Sequence, residues 1–299
     1  MDNLRGAILM VLAMAGFALE DMFIKLLAGA LPVGQILMLL GTGGAVIFAL
    51  LARAKGDALF SRDLAHPAVI LRNAGEVVGT LGFVAAIALI PISTASAILQ
   101  ATPLVVTLGA ALFLGETVGW RRWLAVSVGL AGVLLILRPG LDGFDVYSLF
   151  AVQGVLGLAV RDLATRRVPK GITSRQLSTY AFAAIVPAGA VALAILPGAQ
   201  EVVRPDALQT AQLLAAVAVG VAAYYALVAA TRIGDISMIA PFRYSRLIFA
   251  LGVGILVFGE RPDALTLLGA FIVVASGIYT LWREARLRRR SSLAAAAAL

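Results

Sequence analysis

The sequence predicts an all-α polytopic membrane protein of ten transmembrane helices, divided into two five-helix repeats of opposite topology. Three observations carry that reading. Of the 299 residues, 61% are hydrophobic and 13% charged, where a soluble domain has about 45–50% and about 25%. Apolar runs of the ~20 residues needed to cross a bilayer as a helix recur along the whole chain, leaving short loops and no separate soluble domain. The second half also repeats landmarks of the first.

Taken in order, the apolar windows predict spans near 4–30, 32–53, 67–90, 93–115 and 119–138, then near 146–168, 174–197, 207–232, 236–258 and 264–283. Pro32, Pro91, Pro139, Pro197 and Pro262 fall at junctions, where a helix stops in any case. The first run has no polar stretch or small-residue cleavage site, so it reads as a span and not as a removed signal peptide. An even number of spans puts both termini on one side. The loops of that side hold Arg53, Lys55, Arg62, Arg121, Arg122, Arg166, Arg167, Lys170, Arg175 and Arg232, and the C-terminal segment adds Arg283, Arg286, Arg288, Arg289 and Arg290. The opposite loops hold only Arg138, Arg204 and Arg261, beside acidic residues such as Asp142, Asp145, Glu201 and Asp263. The positive-inside rule makes the first side, and both termini, cytoplasmic. Trp120, Trp123 and Trp282 sit at span ends on that side, as interfacial aromatics do.

The net charge of +8 is thereby explained as topology, which argues against a nucleic-acid partner. With no cysteine and one histidine, His66, the chain cannot build a disulfide framework, a haem or iron–sulfur site, or a Cys/His zinc site, and no cofactor or metal is expected. The segment 291–299 is low-complexity and is assigned no role.

Residues 88–138 align with 232–282 without a gap. Ile92-Ser93 falls on Ile236-Ser237, Gly115-Glu116 on Gly259-Glu260 and Leu124 on Leu268. The opening span has an echo too: Gly16, Ala18 and Asp21 fall on Gly157, Ala159 and Asp162, and Lys25 on Arg166. The repeats are therefore 1–140 and 141–290. Five spans is an odd number, so the second half enters the membrane inverted, an arrangement with its site at the repeat interface.

Ten spans in two halves, each closing on an apolar helix and Gly-Glu (Gly115-Glu116, Gly259-Glu260), with Pro103 thirteen residues before Glu116, resemble the drug/metabolite transporter superfamily. In the second half Leu247 stands where Pro103 would be. Within the superfamily the chain is most similar to the EamA-type amino-acid exporters of bacterial inner membranes, the aromatic-amino-acid exporters above all. The resemblance implies a basket of helices around a central cavity, alternating access and broad specificity.

Charged residues inside the spans are the candidates for the site, since each costs about 2.5–3.5 kcal/mol at the bilayer centre. Glu20 and Asp21 are adjacent and point ~100° apart. Glu20 is expected in the pocket, whereas Asp21 has two readings, a pocket residue or an i,i+4 partner of Lys25. Arg72 and Glu76 form another i,i+4 pair beside Gly75 and Gly79, a spacing that lets a second helix approach closely. Gln100 and Thr102 precede Pro103, whose ring frees the Leu99 carbonyl and kinks the helix. Arg243, Tyr244 and Arg246 lie about halfway along the ninth span. Arg243 either binds a substrate carboxylate or pairs with Asp162, while Arg246 has no partner legible in the sequence. Phe17, Phe83, Tyr224 and Tyr225 are candidate pocket aromatics. Glu116 and Glu260, at span ends, suit structural or gating roles.

The expected activity is export of aromatic and other neutral amino acids, threonine and methionine among them, by a protein for which a monomer suffices. Its partners are the lipid bilayer and a small-molecule substrate. Export of another metabolite or a cationic drug is the alternative. An intramembrane enzyme lacks a nucleophile or metal constellation, and a channel lacks filter-like segments or charge rings.

Overall fold

The structure is a computed structural model that describes residues 2–115, 119–141, 144–169, 171–195, 201–233 and 239–297. Among the described residues it contains ten helical spans and no strand, so the chain is an all-α polytopic membrane protein. The helices are α1 (Asp2–Ala28), α2 (Val33–Ala54), α3 (Pro67–Leu89), α4 (Ile92–Leu99), α5 (Thr102–Phe113), α6 (Trp120–Leu137), α7 (Ser148–Thr165), α8 (Ser174–Ile195), α9 (Ala207–Ile233), α10 (Ser245–Phe258) and α11 (Ala264–Ala297). Successive spans run in opposite directions. The end that carries the arginine-rich loops is called the basic face below.

Two spans depart from a continuous helix. The fourth is split into α4 and α5, and the sequence shows why. Pro103 has no N–H to give, and Thr102 Oγ1 donates to the freed Leu99 carbonyl at 2.7 Å. The expected kink is thus a break at Gln100–Ala101, healed by a side chain. The ninth span opens with a 3₁₀ turn, Ala240–Tyr244, in which Pro241 occupies the first turn. Two other helix ends are closed by local chemistry. His66 Nδ1 accepts from the Ala68 N–H at 3.2 Å ahead of Pro67. Gly259 ends α10 in the left-handed region at φ 63°, and the Glu260 N–H reaches back to the Gly254 carbonyl at 2.9 Å. The helix of the tenth span, α11, outruns its apolar window, which ends at Arg283, and continues to Ala297.

The most extensive pairings are α3 on α7, α2 on α8, α1 on α9 and α6 on α11, while α10 packs on both α1 and α4. In lipid no hydrophobic effect drives apolar helices together, so close backbone contact has to. Small residues supply it. A Cβ on Gly157 would lie 2.3 Å from the Gly79 amide nitrogen, and one on Gly75 would lie 2.7 Å from that of Arg161. Likewise a Cβ on Gly34 of α2 would meet the Gly189 carbonyl of α8 at 2.4 Å. The main core, including Leu27, Ile36, Ile87, Ile98, Leu104 and Val273, fills the space between these pairs. Outward-facing side chains are apolar, such as Leu12, Leu50, Leu256 and Phe271. That surface is stable only against hydrocarbon. Trp120, Trp123 and Trp282 are exposed at the basic face, with Arg121 and Arg286 over the rings of Trp120 and Trp282.

Gly157→Ala is expected to destabilise the protein by roughly 1–3 kcal/mol, since its methyl meets backbone and not a movable side chain. Gly252→Ala, where the added Cβ meets nothing within 4 Å, should be neutral or slightly stabilising. Thermal unfolding of the two purified variants in detergent tests the contrast.

Candidate functional site

The innermost charges form one constellation at the crossing of α1, α3 and α10. Arg246 Nη2 donates to both Asp21 oxygens, at 2.9 and 2.7 Å, and its Nε lies 3.3 Å from Oδ2. The Asp21 side chain is 4% exposed and that of Arg246 18%. The guanidinium also sits 5.3 Å from the Phe17 ring centroid and 5.2 Å from that of Phe83, cation–π contacts that help to replace lost hydration. Glu20 points elsewhere, towards α9. A Cβ on Gly220 would stand 2.4 Å from its Oε1, so the glycine makes room for the carboxylate. Among the described residues Glu20 has neither a hydrogen bond nor an ion pair, and Asp21 and Arg246 are its charged neighbours.

Lys25 is not the partner of Asp21. Its ammonium donates to the Ile87 and Ile90 carbonyls at 3.0 and 2.7 Å, and lies 3.8 Å from Glu260 Oε1. Two causes divert it. Arg246 offers Asp21 a forked donor, and the end of α3 presents carbonyls with no helical partner. Glu260 answers the other side of the same turn. It accepts from the Ile92 N–H at 2.6 Å, the Ser93 N–H at 3.0 Å and the Ser93 hydroxyl at 2.6 Å. The residue before α4 is Pro91, which has no capping side chain. Ile92-Ser93 and Gly259-Glu260, one copy of each repeated dipeptide, are therefore contact partners, while Ile236 and Ser237 lie outside the described residues. The joint repetition of the two dipeptides is the signal that could have revealed this cap. Glu116 lies outside the described residues, while Gly115 has the same left-handed backbone as Gly259, at φ 68°.

A second network lies nearer the basic face. Arg72 and Glu76 pair at 3.1 Å, and Arg161 bridges Glu76 at 3.2 Å and Asp162 at 2.8 Å. Asp162 is thus held by its sequence neighbour and not by Arg243. The glycine-lined crossing of α3 and α7 brings the arginine within reach. Arg72 also donates to the Leu177 carbonyl at 3.2 Å, tying in α8.

The remaining candidates separate cleanly. Tyr225 is 72% exposed on the lipid-facing side and Tyr224 stands edge-on to Phe48, so neither belongs with Arg246. A helix places neighbouring residues ~100° apart, and hydropathy does not choose between two tyrosines. Thr102 spends its proton on Leu99. Gln100 and Tyr244 are buried, with Gln100 Nε2 and Tyr244 Oη unpaired, and the Tyr244 hydroxyl rests where Gly277 lacks a side chain. A cavity of about 350 Å³ lies at the face opposite the basic one, lined by Ile90, Ser93, Arg138, Asp145, Glu260 and Asp263 among others. There Arg138 grips the Asp263 carboxylate and the Thr266 N–H binds it at 2.8 Å, which holds that carboxyl well below the usual carboxylate range. At the basic face Arg175, and secondarily the Thr173 hydroxyl, lowers the Asp57 carboxyl in the same way, at 2.7 and 2.9 Å.

With this geometry in view, likeness to known proteins is informative. Residues 4–138 match the model of the EamA-like transporter family. The pseudopaline exporter of Pseudomonas aeruginosa is 30% identical over 280 residues, covering 91% of this chain and 94% of that one. The chain belongs to the EamA-like transporter family. A riboflavin transporter of Vibrio cholerae is 31% identical over 207 residues, 69% of this chain and 68% of that one. An S-adenosylmethionine uptake transporter of Rickettsia conorii is 26% identical over 231 residues, 77% and 76% of the two chains. A crystal structure 18% identical superposes with a TM-score of 0.58 over 90% of this chain and 97% of its own, a likeness of fold. These named relatives of the EamA-like transporter are metabolite carriers, and the narrower resemblance to aromatic-amino-acid exporters is not shared by them.

Glu76 serves two arginines and Asp162 one, with side-chain exposures of 15% and 30%. Glu76→Gln should therefore destabilise by about 3–5 kcal/mol, as removal of one member of a buried pair does. Asp162→Asn should cost clearly less in the same thermal-unfolding assay. For Asp57 the folded carboxyl titrates below its unfolded counterpart, so its contribution is complete above the ordinary carboxylate range and disappears as the pH falls through the lowered folded value. Asp57→Asn should melt below the native protein at neutral pH, and the gap should close in acid.

Proposed function

We propose that this protein exports amino acids and amino-acid-derived zwitterions from the cytoplasm by alternating access. The observation that carries the reading is the Asp21–Arg246 pair between the rings of Phe17 and Phe83. A zwitterion can open such a pair by replacing both partners at once. Its carboxylate takes the guanidinium fork, and its ammonium takes Asp21 with Glu20 beside it. No charge is then left alone in a dry site, and the two rings favour an apolar or aromatic substrate side chain. S-adenosylmethionine, carried by one relative, bears the amino and carboxylate groups of methionine, which fits this chemistry. Its sulfonium charge supports the second reading, a cationic metabolite with Glu20 as the extra counter-charge.

The proposed frame is two inverted repeats, 1–140 and 141–290, in a bacterial inner membrane with the basic face and both termini cytoplasmic and with a monomer as the transporting unit. The helix pairing supports a two-fold relation between the halves, and five spans in each makes that relation an inversion. Exchanging the halves turns α1 on α9 into α7 on α3, while the pairs α2–α8, α4–α10 and α6–α11 map onto themselves.

Proteoliposomes loaded with phenylalanine, threonine or methionine should release them faster than empty-vesicle controls. The proposal fails if none of the three moves. Arg246→Lys retains charge but loses the fork, and is expected to slow efflux about tenfold or more. Glu20→Gln should spare neutral amino acids and abolish movement of a cationic substrate, if the second reading holds.

A further inference from the structure

The turn between α3 and α4, residues Ile90 and Pro91, is gripped from both sides at the face opposite the basic one. Lys25 of α1 binds the carbonyls that α3 leaves open, and Glu260 binds the amides that α4 leaves open. Each charge sits at the helix end whose dipole it complements, and the two charges lie 3.8 Å apart. Glu260 is fixed in turn. Gly259 turns the chain back with φ 63°, and a Cβ on Gly254 would fall 2.5 Å from Glu260 Oε2, so that helix is bare where the carboxylate lies.

We propose that Lys25 and Glu260 form a latch that closes this face and releases once in each transport cycle. The inference rests on the alternating-access reading above. Three features distinguish the cluster from a merely structural cap. Its bonds to Glu260 all join the first half of the chain to the second, the parts that must separate for this face to open. Every group in it is one that water can satisfy: an ammonium, a carboxylate, open helix ends and a hydroxyl. Opening this face therefore leaves no polar group of the cluster without a partner once water enters. The cavity of about 350 Å³ is lined by Glu260 and Ser93, so a released latch opens directly into it. One turn deeper on α4, Ser96 is 1% exposed with its hydroxyl unpaired, behind the closed latch.

The chain has no cysteine, which makes Ser96→Cys a clean reporter. In lipid nanodiscs its thiol should react slowly with a membrane-impermeant thiol reagent. Adding Glu260→Gln, which removes the charge on the α4 amides, should speed labelling about tenfold, the effect of losing a charge-assisted hydrogen bond. Lys25→Gln leaves the α4 cap in place and should act in the same direction but less. It decides the matter where Glu260→Gln fails to elute as a folded protein. Labelling in both folded variants at the rate of Ser96→Cys alone overturns the latch. Because the readout needs no substrate, a labelling shift without amino-acid efflux keeps the latch and rejects only the proposed substrate.

Discussion

A charge or an open helix end inside hydrocarbon has to be answered by another part of the protein, because water is absent. That constraint organises this chain at three levels. Inside the bundle Arg246 and Asp21 answer each other, with two aromatic rings standing in for the hydration that the guanidinium lost. Nearer the basic face Glu76 balances two arginines. At the far face the open ends of α3 and α4 are answered by Lys25 and Glu260. Arg72 shares α3 with Glu76, but the other partners come from elsewhere in the chain, so satisfying the charges also fixes which helices adjoin.

Close approach is the second half of the same constraint. A hydrogen bond acts over about 3 Å, while helices carrying large side chains stand 8–10 Å apart at their axes. Glycines at the crossings shorten that distance where it matters. Gly75 and Gly79 let α7 come near enough for Arg161 to reach Glu76, and Gly220 gives the Glu20 carboxylate its place against α9. The small residues are thus part of the electrostatics as well as of the packing.

Much of the architecture was legible in the sequence because hydrocarbon thickness fixes helix length. All ten spans follow from apolar windows, and the local pair Arg72–Glu76 follows from helical spacing. Partners on other helices were legible only in part. The i,i+4 spacing of Asp21 and Lys25 permits a bond that the structure does not use, since a bidentate arginine and a set of free carbonyls compete for the two groups. Arg246 had no visible partner because Asp21 is 225 positions away. Tyr224 and Tyr225 differ only in helical phase, which hydropathy does not resolve. The Glu260 cap lay in plain sight as two repeated dipeptides, but repetition says that a feature recurs and not what it touches.

The separation between Asp21 and Arg246 also has a meaning for biogenesis. The first helix leaves the ribosome 225 residues ahead of its partner. At translation rates of about 5–20 residues per second, that gap is roughly 10–45 s. For that interval α1 carries Glu20, Asp21 and Lys25 with neither Arg246 nor Glu260 yet made. The helix that anchors the constellation is therefore, when newborn, one of the least suited to free lipid. It has to wait beside the insertion machinery, or in contact with water, until the ninth span arrives.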